Sequence, residues 1–188
     1  MGIYSRLVIL LSAASLTLLV SCQGQEFEPA QKAELPARPA LVARKISFAD
    51  TVDDWPYFRG PSGMGVSDAK ALPVSWSESA NLAWKTELPG PGSSSPIVFG
   101  DHIYLTCYTG YSVPGQSGGS LDDLQRHLVC MDRDSGEILW DRAVQAKLPE
   151  EEQIRDHGYA ANTPAADADG VYAFFGKSGV VAFDHDGP

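Results

Sequence analysis

One long apolar run and many short ones divide this chain. Residues 7–20 carry no charge and lead into Ser21-Cys22, whereas beyond residue 94 the apolar and β-branched runs are brief and close on Gly-Asp, Asp-Gly or Asp-Ser-Gly. Brief runs between turn residues predict strands at 95–100, 103–109, 127–132 and 138–144, with a further extended piece at 81–88. These pieces repeat. Pro96, Asp101 and Tyr104 align with Pro164, Asp169 and Tyr172 at an offset of 68, and Asp132 aligns with Asp184 at an offset of 52. The first copy is therefore longer between its halves, and the surplus falls in the Gly, Ser and Asp-rich stretch 111–126. Trp84-Lys85 falls in register with Trp140-Asp141.

A unit of about fifty residues holding four antiparallel strands is the module of a β-propeller blade. The chain then divides into an outermost strand at 81–88, one blade at 94–144 and three inner strands of the next blade at 163–188. Composition agrees with many turns: Gly 18 and Pro 13 stand against only 20% charged residues. A hydrophobic share of 44% is enough for a core. With 14 Lys and Arg against 24 Asp and Glu, the net charge is -10, which argues against nucleic acid held by a general electrostatic field.

The run 7–20 follows a single basic residue, Arg6, and is too short to span a hydrocarbon core, which needs about 20 apolar residues. Leu19-Val20-Ser21-Cys22 resembles a bacterial lipobox. That resemblance implies a lipoprotein signal peptide at 1–21, lipidation at Cys22 and a membrane anchor made of acyl chains. Gln23 after the lipidated cysteine implies the outer membrane, on its periplasmic side or at the cell surface. Residues 22–50, with Pro29, Pro36 and Pro39 and no sustained apolar period, read as a flexible tether to a domain at 51–188. Cys107 and Cys130 remain, in a compartment that oxidises thiols. They are either a candidate disulfide or two small apolar side chains on adjacent strands.

Asp132-Arg133-Asp134-Ser135-Gly136, closed by Trp140, is similar to the pyrroloquinoline-quinone-like β-propeller repeat, and Phe183-Asp184-His185-Asp186-Gly187 begins a second copy. The segment from Trp55 through Arg59, Gly60 and Gly63 resembles the start of lipidated members of that class. The resemblance implies an all-β fold, a β-propeller of which about two blades are present, and blade-docking roles for Trp84, Trp140, Asp132, Gly136 and Asp184. Because a ring needs at least four blades, and residue 188 falls inside a motif, the sequence reads as an N-terminal fragment of a longer protein.

Two functions follow from the resemblance. BamB-like lipoproteins use propeller faces to hold other envelope proteins. Strand parity puts 111–125 and 145–162 on one rim, and elaborated loops are where binding concentrates, so this rim is the expected partner surface. No catalytic, cofactor or metal-binding set is expected under that reading. The alternative is a quinoprotein dehydrogenase using pyrroloquinoline quinone, calcium and an Asp base, with its cofactor site in absent blades. Its hallmark pair of adjacent cysteines is missing.

Other patterns are weaker. The stretch 170–178 mimics a phosphate-binding loop, but five residues separate Gly170 from Gly176 and a hairpin replaces the following helix. His102, His127, His157 and His185 lack metal-ligand spacing and are expected at the surface or in turns. Glu150, Glu151 and Glu152 read as solvated loop, as do Asp122 and Asp123. Ser93, Ser94 and Ser95 have no nucleophile elbow around them.

Overall fold

A buried backbone N–H or C=O without a partner costs as much as a lost hydrogen bond, so short apolar runs can be buried only in ladders. A computed structural model describes residues 54–187 other than 71 and 155. The signal peptide, Cys22 and the tether expected at 22–50 lie outside the described residues. In chain order the strands are β1 (Ile97–Phe99), β2 (His102–Thr109), β3 (Gln125–Asp132), β4 (Ile138–Gln145), β5 (Ala165–Asp167), β6 (Gly170–Phe174) and β7 (Val180–Phe183). They form two antiparallel sheets, β1-β2-β3-β4 and β5-β6-β7. The described residues are all-β apart from two short 3-10 turns at Leu121–Asp123 and Gly176–Ser178. The second of these ends the stretch that mimics a phosphate-binding loop, and it follows β6 as part of a hairpin.

Sequence boundaries and ladder boundaries differ where pairing outruns apolarity. β3 begins at Gln125, ahead of the apolar run, because Gln125 pairs with Thr109 on one side and Gln145 on the other. The piece 81–88 departs further from expectation: among the described residues no ladder pairs its backbone. It is extended with Trp84, Thr86 and Leu88 turned inward, and Trp84 and Leu88 cover Cys107, Val129 and Met131. The segment therefore lies on the face of the first sheet and leaves its edges alone.

Side chains alternate across a strand, so each sheet has two faces with different partners. From the first sheet, Tyr104, Leu128, Cys130 and Trp140 enter a core with Ala166, Val171, Ala173 and Phe175 of the second. Tyr104, Leu128, Cys130 and Val171 are fully buried there. The opposite face of the first sheet carries Cys107, Val129 and Met131.

Two tryptophans fix how the pieces stack. Trp140 on β4 lies on the turn that follows β7: a Cβ on Gly187 would run into its indole, and its Nε1–H donates to His185 O at 2.8 Å. Two residues on, Arg142 donates to Gly187 O. Trp84 repeats this on the β3–β4 turn. A Cβ on Gly136 would strike its indole, its Nε1–H donates to Arg133 O at 3.1 Å, and Thr86, two residues on, donates to Gly136 O at 2.6 Å. Gly136 and Gly187 also sit at φ +73 and +86, so glycine is required twice over.

The inner edges of the sheets are stitched by residues that the pattern of strands did not single out. Trp55 exchanges two backbone hydrogen bonds with Val98 of β1, at 2.8 and 3.0 Å, while Pro56 O accepts from Ala166 N of β5 at 2.8 Å. Asp54 accepts from Gly100 N at 2.9 Å and so closes the β1–β2 turn. One short segment thereby joins both sheets.

Removing the Trp140 ring should cost about 3–5 kcal/mol, as for other large aromatic truncations in a core. Trp76, which is 66% exposed, is the control. Denaturant unfolding of Trp140→Ala is expected to show a much lower midpoint and Trp76→Ala an almost unchanged one; equal midpoints would contradict the stacking.

Candidate functional site

The strand ends that carry Thr109, Gln125 and Gln145 open onto two long connections, 111–125 and 145–162. These connections fold onto each other. Tyr108, Leu124, Ala146, Tyr159 and Ala160 form a buried cluster, with Tyr111, Val113, Leu121 and Ile154 packed against it. Tyr108 meets Tyr159 edge-on at 5.5 Å between ring centroids, and Tyr111 lies 5.8 Å from Tyr159. Their hydroxyls span the connections: Tyr108 Oη–H donates to Ser112 O, Tyr159 Oη–H to Glu151 O and Tyr111 Oη–H to Glu152 O. Burial pushes the phenols of Tyr108 and Tyr159 up, so both stay neutral donors.

Arg126 anchors this body to β3. Its Nε donates to Tyr159 O and its Nη2 to Glu150 Oε1, each at 2.9 Å, with the two side chains only 7% and 10% exposed. Among the described residues Nη1 is buried without a partner. An ion pair this dry gains little over an apolar pair of the same shape, but losing one partner strands the other charge. Its consequence is positional: Glu150 belongs to the ion pair, while Glu151, Glu152 and Asp156 remain exposed on the rim beside Asp122 and Asp123.

Three other polar arrangements bear on chemistry. His127 Nδ1 meets Asp141 at 2.8 and 3.0 Å, and its Nε2 meets Thr109 Oγ1 at 2.9 Å. Hydroxyl, imidazole and carboxylate in line is the order of nucleophile, base and orienter. Here the three side chains sit on β2, β3 and β4, so the line ties three neighbouring strands together. His185 Nε2 contacts Asp167 O at 2.8 Å, which makes that nitrogen the donor and leaves Nδ1 to accept from Tyr104 Oη–H at 2.7 Å. The surface or turn placement expected for the histidines therefore needs correcting at His127, which lies in β3 and is 6% exposed, whereas His185 does sit in a turn, partly buried. Their partners arrive from other strands, which spacing along the chain does not reveal.

Asp132 caps the β3–β4 turn, its Oδ1 accepting from Asp134 N, Ser135 N and Ser135 Oγ at 3.1, 2.7 and 2.7 Å. These donors, the Ser135 hydroxyl foremost, hold its carboxyl below the ordinary 3.8. In the turn between β5 and β6, which corresponds to the β1–β2 turn of the first copy, Asp167 Oδ1 accepts from Asp169 N and Gly170 N at 2.8 and 3.2 Å.

Cys107 and Cys130 are both free and buried, so the candidate disulfide is not formed. Cys107 pairs with His127, three residues from Cys130 along β3, and the two thiols lie in different clusters on opposite faces. Burial pushes Cys107 up to about 11, opposed by a hydrogen bond from Gly90, and Cys130 to about 12, opposed by the Tyr104 hydroxyl. Neither thiol is a nucleophile at neutral pH.

Among the described residues no group of three or more His, Cys, Asp or Glu side chains could hold a metal ion. The shallow groove along 72–75 and 81–83 is lined by Leu72, Pro73, Val74, Ser75, Asn81, Leu82 and Ala83, none of them an acid or base. No protein-family model, curated protein or solved structure matches this chain.

A carboxyl held low in the native state contributes stability above its unfolded pKa and loses it as pH falls through the native value. Asp132→Ala should therefore melt below the parent at neutral pH, with the gap narrowing once pH drops under 3.8. Thermal melts across that range check it; a gap independent of pH would remove the carboxylate from the account.

Proposed function

We propose that the two sheets are consecutive blades of an incomplete β-propeller of the pyrroloquinoline-quinone-like repeat type, in a lipid-anchored envelope protein that serves as an interaction scaffold. The twice-repeated seat of a tryptophan on a glycine turn supports the repeat. The lipid anchor at Cys22 and the outer-membrane placement rest on the apolar run and Leu19-Val20-Ser21-Cys22.

The observation that carries the scaffold reading is the shared core of 111–125 and 145–162. Long loops added as neutral decoration have no reason to pack Tyr111 and Tyr159 against each other and against Tyr108 of β2, whereas a binding surface gains from being preorganised. The rim they form is acidic, with Asp122, Asp123, Glu151, Glu152 and Asp156 exposed, and suits a basic patch on another envelope protein.

Photoreactive residues placed at the exposed positions Pro114 and Gln153 should trap the same partner from the cell envelope, less so at high salt, while one at Asp134 on the opposite rim should not. Adducts formed equally from Asp134, or none from either connection, would contradict the reading. So would dye reduction on adding pyrroloquinoline quinone and calcium to the purified chain.

A further inference from the structure

Three consecutive glutamates on the rim are treated differently by the fold. Glu150 turns inward to Arg126, at 2.9 Å, while Glu151 and Glu152 stay exposed. The backbones of the exposed pair are held: Glu151 O accepts from Tyr159 Oη–H at 2.6 Å and Glu152 O from Tyr111 Oη–H at 3.1 Å. The stretch just before them is tied to the second sheet, where Lys147 N donates to Ser178 Oγ at 3.0 Å and Lys177 Nζ to Pro149 O. On the other connection Asp122 is held in the same way, its backbone O accepting from Gln145 Nε2 at 2.7 Å. Exposed carboxylates on a held backbone keep a set spacing.

The fastening beneath them is not the most stable one available. Arg126 and Glu150 are only 7% and 10% exposed, and Arg126 Nη1, on the guanidinium that reaches into this cluster, is buried without a partner among the described residues. An apolar pair of the same volume would hold the connection at least as firmly and leave no N–H unspent. What the ion pair adds is a choice among three identical acids. Arg126 Nε donates to Tyr159 O at 2.9 Å, which sets the guanidinium, and Nη2 then takes the one carboxylate within its reach.

We infer that Arg126 is the positioning residue of the rim: by drawing Glu150 inward it sets Glu151 and Glu152 beside Asp122 in an array that fits a partner whose Lys and Arg side chains are fixed on a folded surface, in preference to a flexible basic tail. The inference rests on the scaffold reading and names its partner more closely. A flexible polycation follows any acidic surface and is held by charge alone, whereas two rigid arrays lose less freedom on association and discriminate by spacing. Removing Arg126 therefore acts in opposite directions on the two kinds of partner. It deletes a cation and makes the rim more acidic, which by charge alone tightens binding; it also releases the array, which weakens the fit to a fixed partner.

The test uses the full 188-residue chain in mild non-ionic detergent. In Arg126→Met, a protease that cuts after glutamate should cleave at Glu151 or Glu152 at least about tenfold faster than in the parent, because cleavage needs local opening of the connection. Glu150→Gln, which keeps the shape and removes the charge, should speed the same cleavage. Arg126→Met combined with Glu150→Leu should return it to the parental rate. A fluorescent oligolysine should bind Arg126→Met at least as tightly as the parent, while the photoadduct from position 153 falls at least about tenfold and recovers in the double variant. Oligolysine at equal concentration of charge should not displace that partner. Parental cleavage rates in both single variants, an adduct that rises or holds with oligolysine binding, no recovery in the double variant, or displacement by oligolysine charge for charge would each overturn the inference. No adduct from the parent would sink the scaffold and the partner named for it, with the cleavage rates still deciding whether Arg126 positions the rim.

Discussion

An indole set against a glycine turn, with its one N–H spent on that turn's carbonyl, is the contact on which the arrangement of this protein depends. Trp140 reaches the turn after β7 this way, and Trp84 reaches the turn between β3 and β4. A buried indole must place its N–H somewhere, and a tight turn has carbonyls to offer and, at glycine, no side chain in the way. The contact therefore fixes both spacing and rotation between successive layers. The core of Tyr104, Leu128 and Cys130 against Val171, Ala173 and Phe175 fills the space that it sets.

A second constraint works at the opposite rim. Connections as long as 111–125 and 145–162 would be expensive to order separately, since each fixed residue loses conformational freedom. Packing them against each other lets one set of tyrosines order both, and Arg126 ties the result to β3 through Tyr159 O and Glu150. Rigid framework at one end and shared loop core at the other leave the acidic side chains as the presented surface. The proposed scaffold role draws on that division of labour.

Much of the framework is legible in the sequence because it is local. Strand periodicity, Asp-Ser-Gly turns and the spacing of Trp140 from Gly136 all concern neighbours along the chain, and the four strands β1 to β4 overlap the stretches those signals mark, whereas 81–88 joins no ladder among the described residues. What the sequence hides is pairing across it. His127 gains Asp141 and Thr109 only when β2, β3 and β4 align, and Trp55 and Pro56 show no strand pattern, although they join β1 to β5. Cys107 and Cys130 illustrate the same limit: sequence separation leaves a bridge open, while strand parity puts the thiols on opposite faces. The loop core is partly visible as a concentration of tyrosines, but the Arg126–Glu150 pair beneath it is not.

Hydrogen exchange of the tryptophan indole N–H groups tests the docking contact most directly. In a nitrogen-15 spectrum of the folded chain, the Nε1–H signals of Trp84 and Trp140 should exchange far more slowly than that of Trp76, which stands 66% exposed. Exchange of all three at the same rapid rate would mean that neither indole is spent on a turn carbonyl, and the stacking built on those two contacts would be wrong.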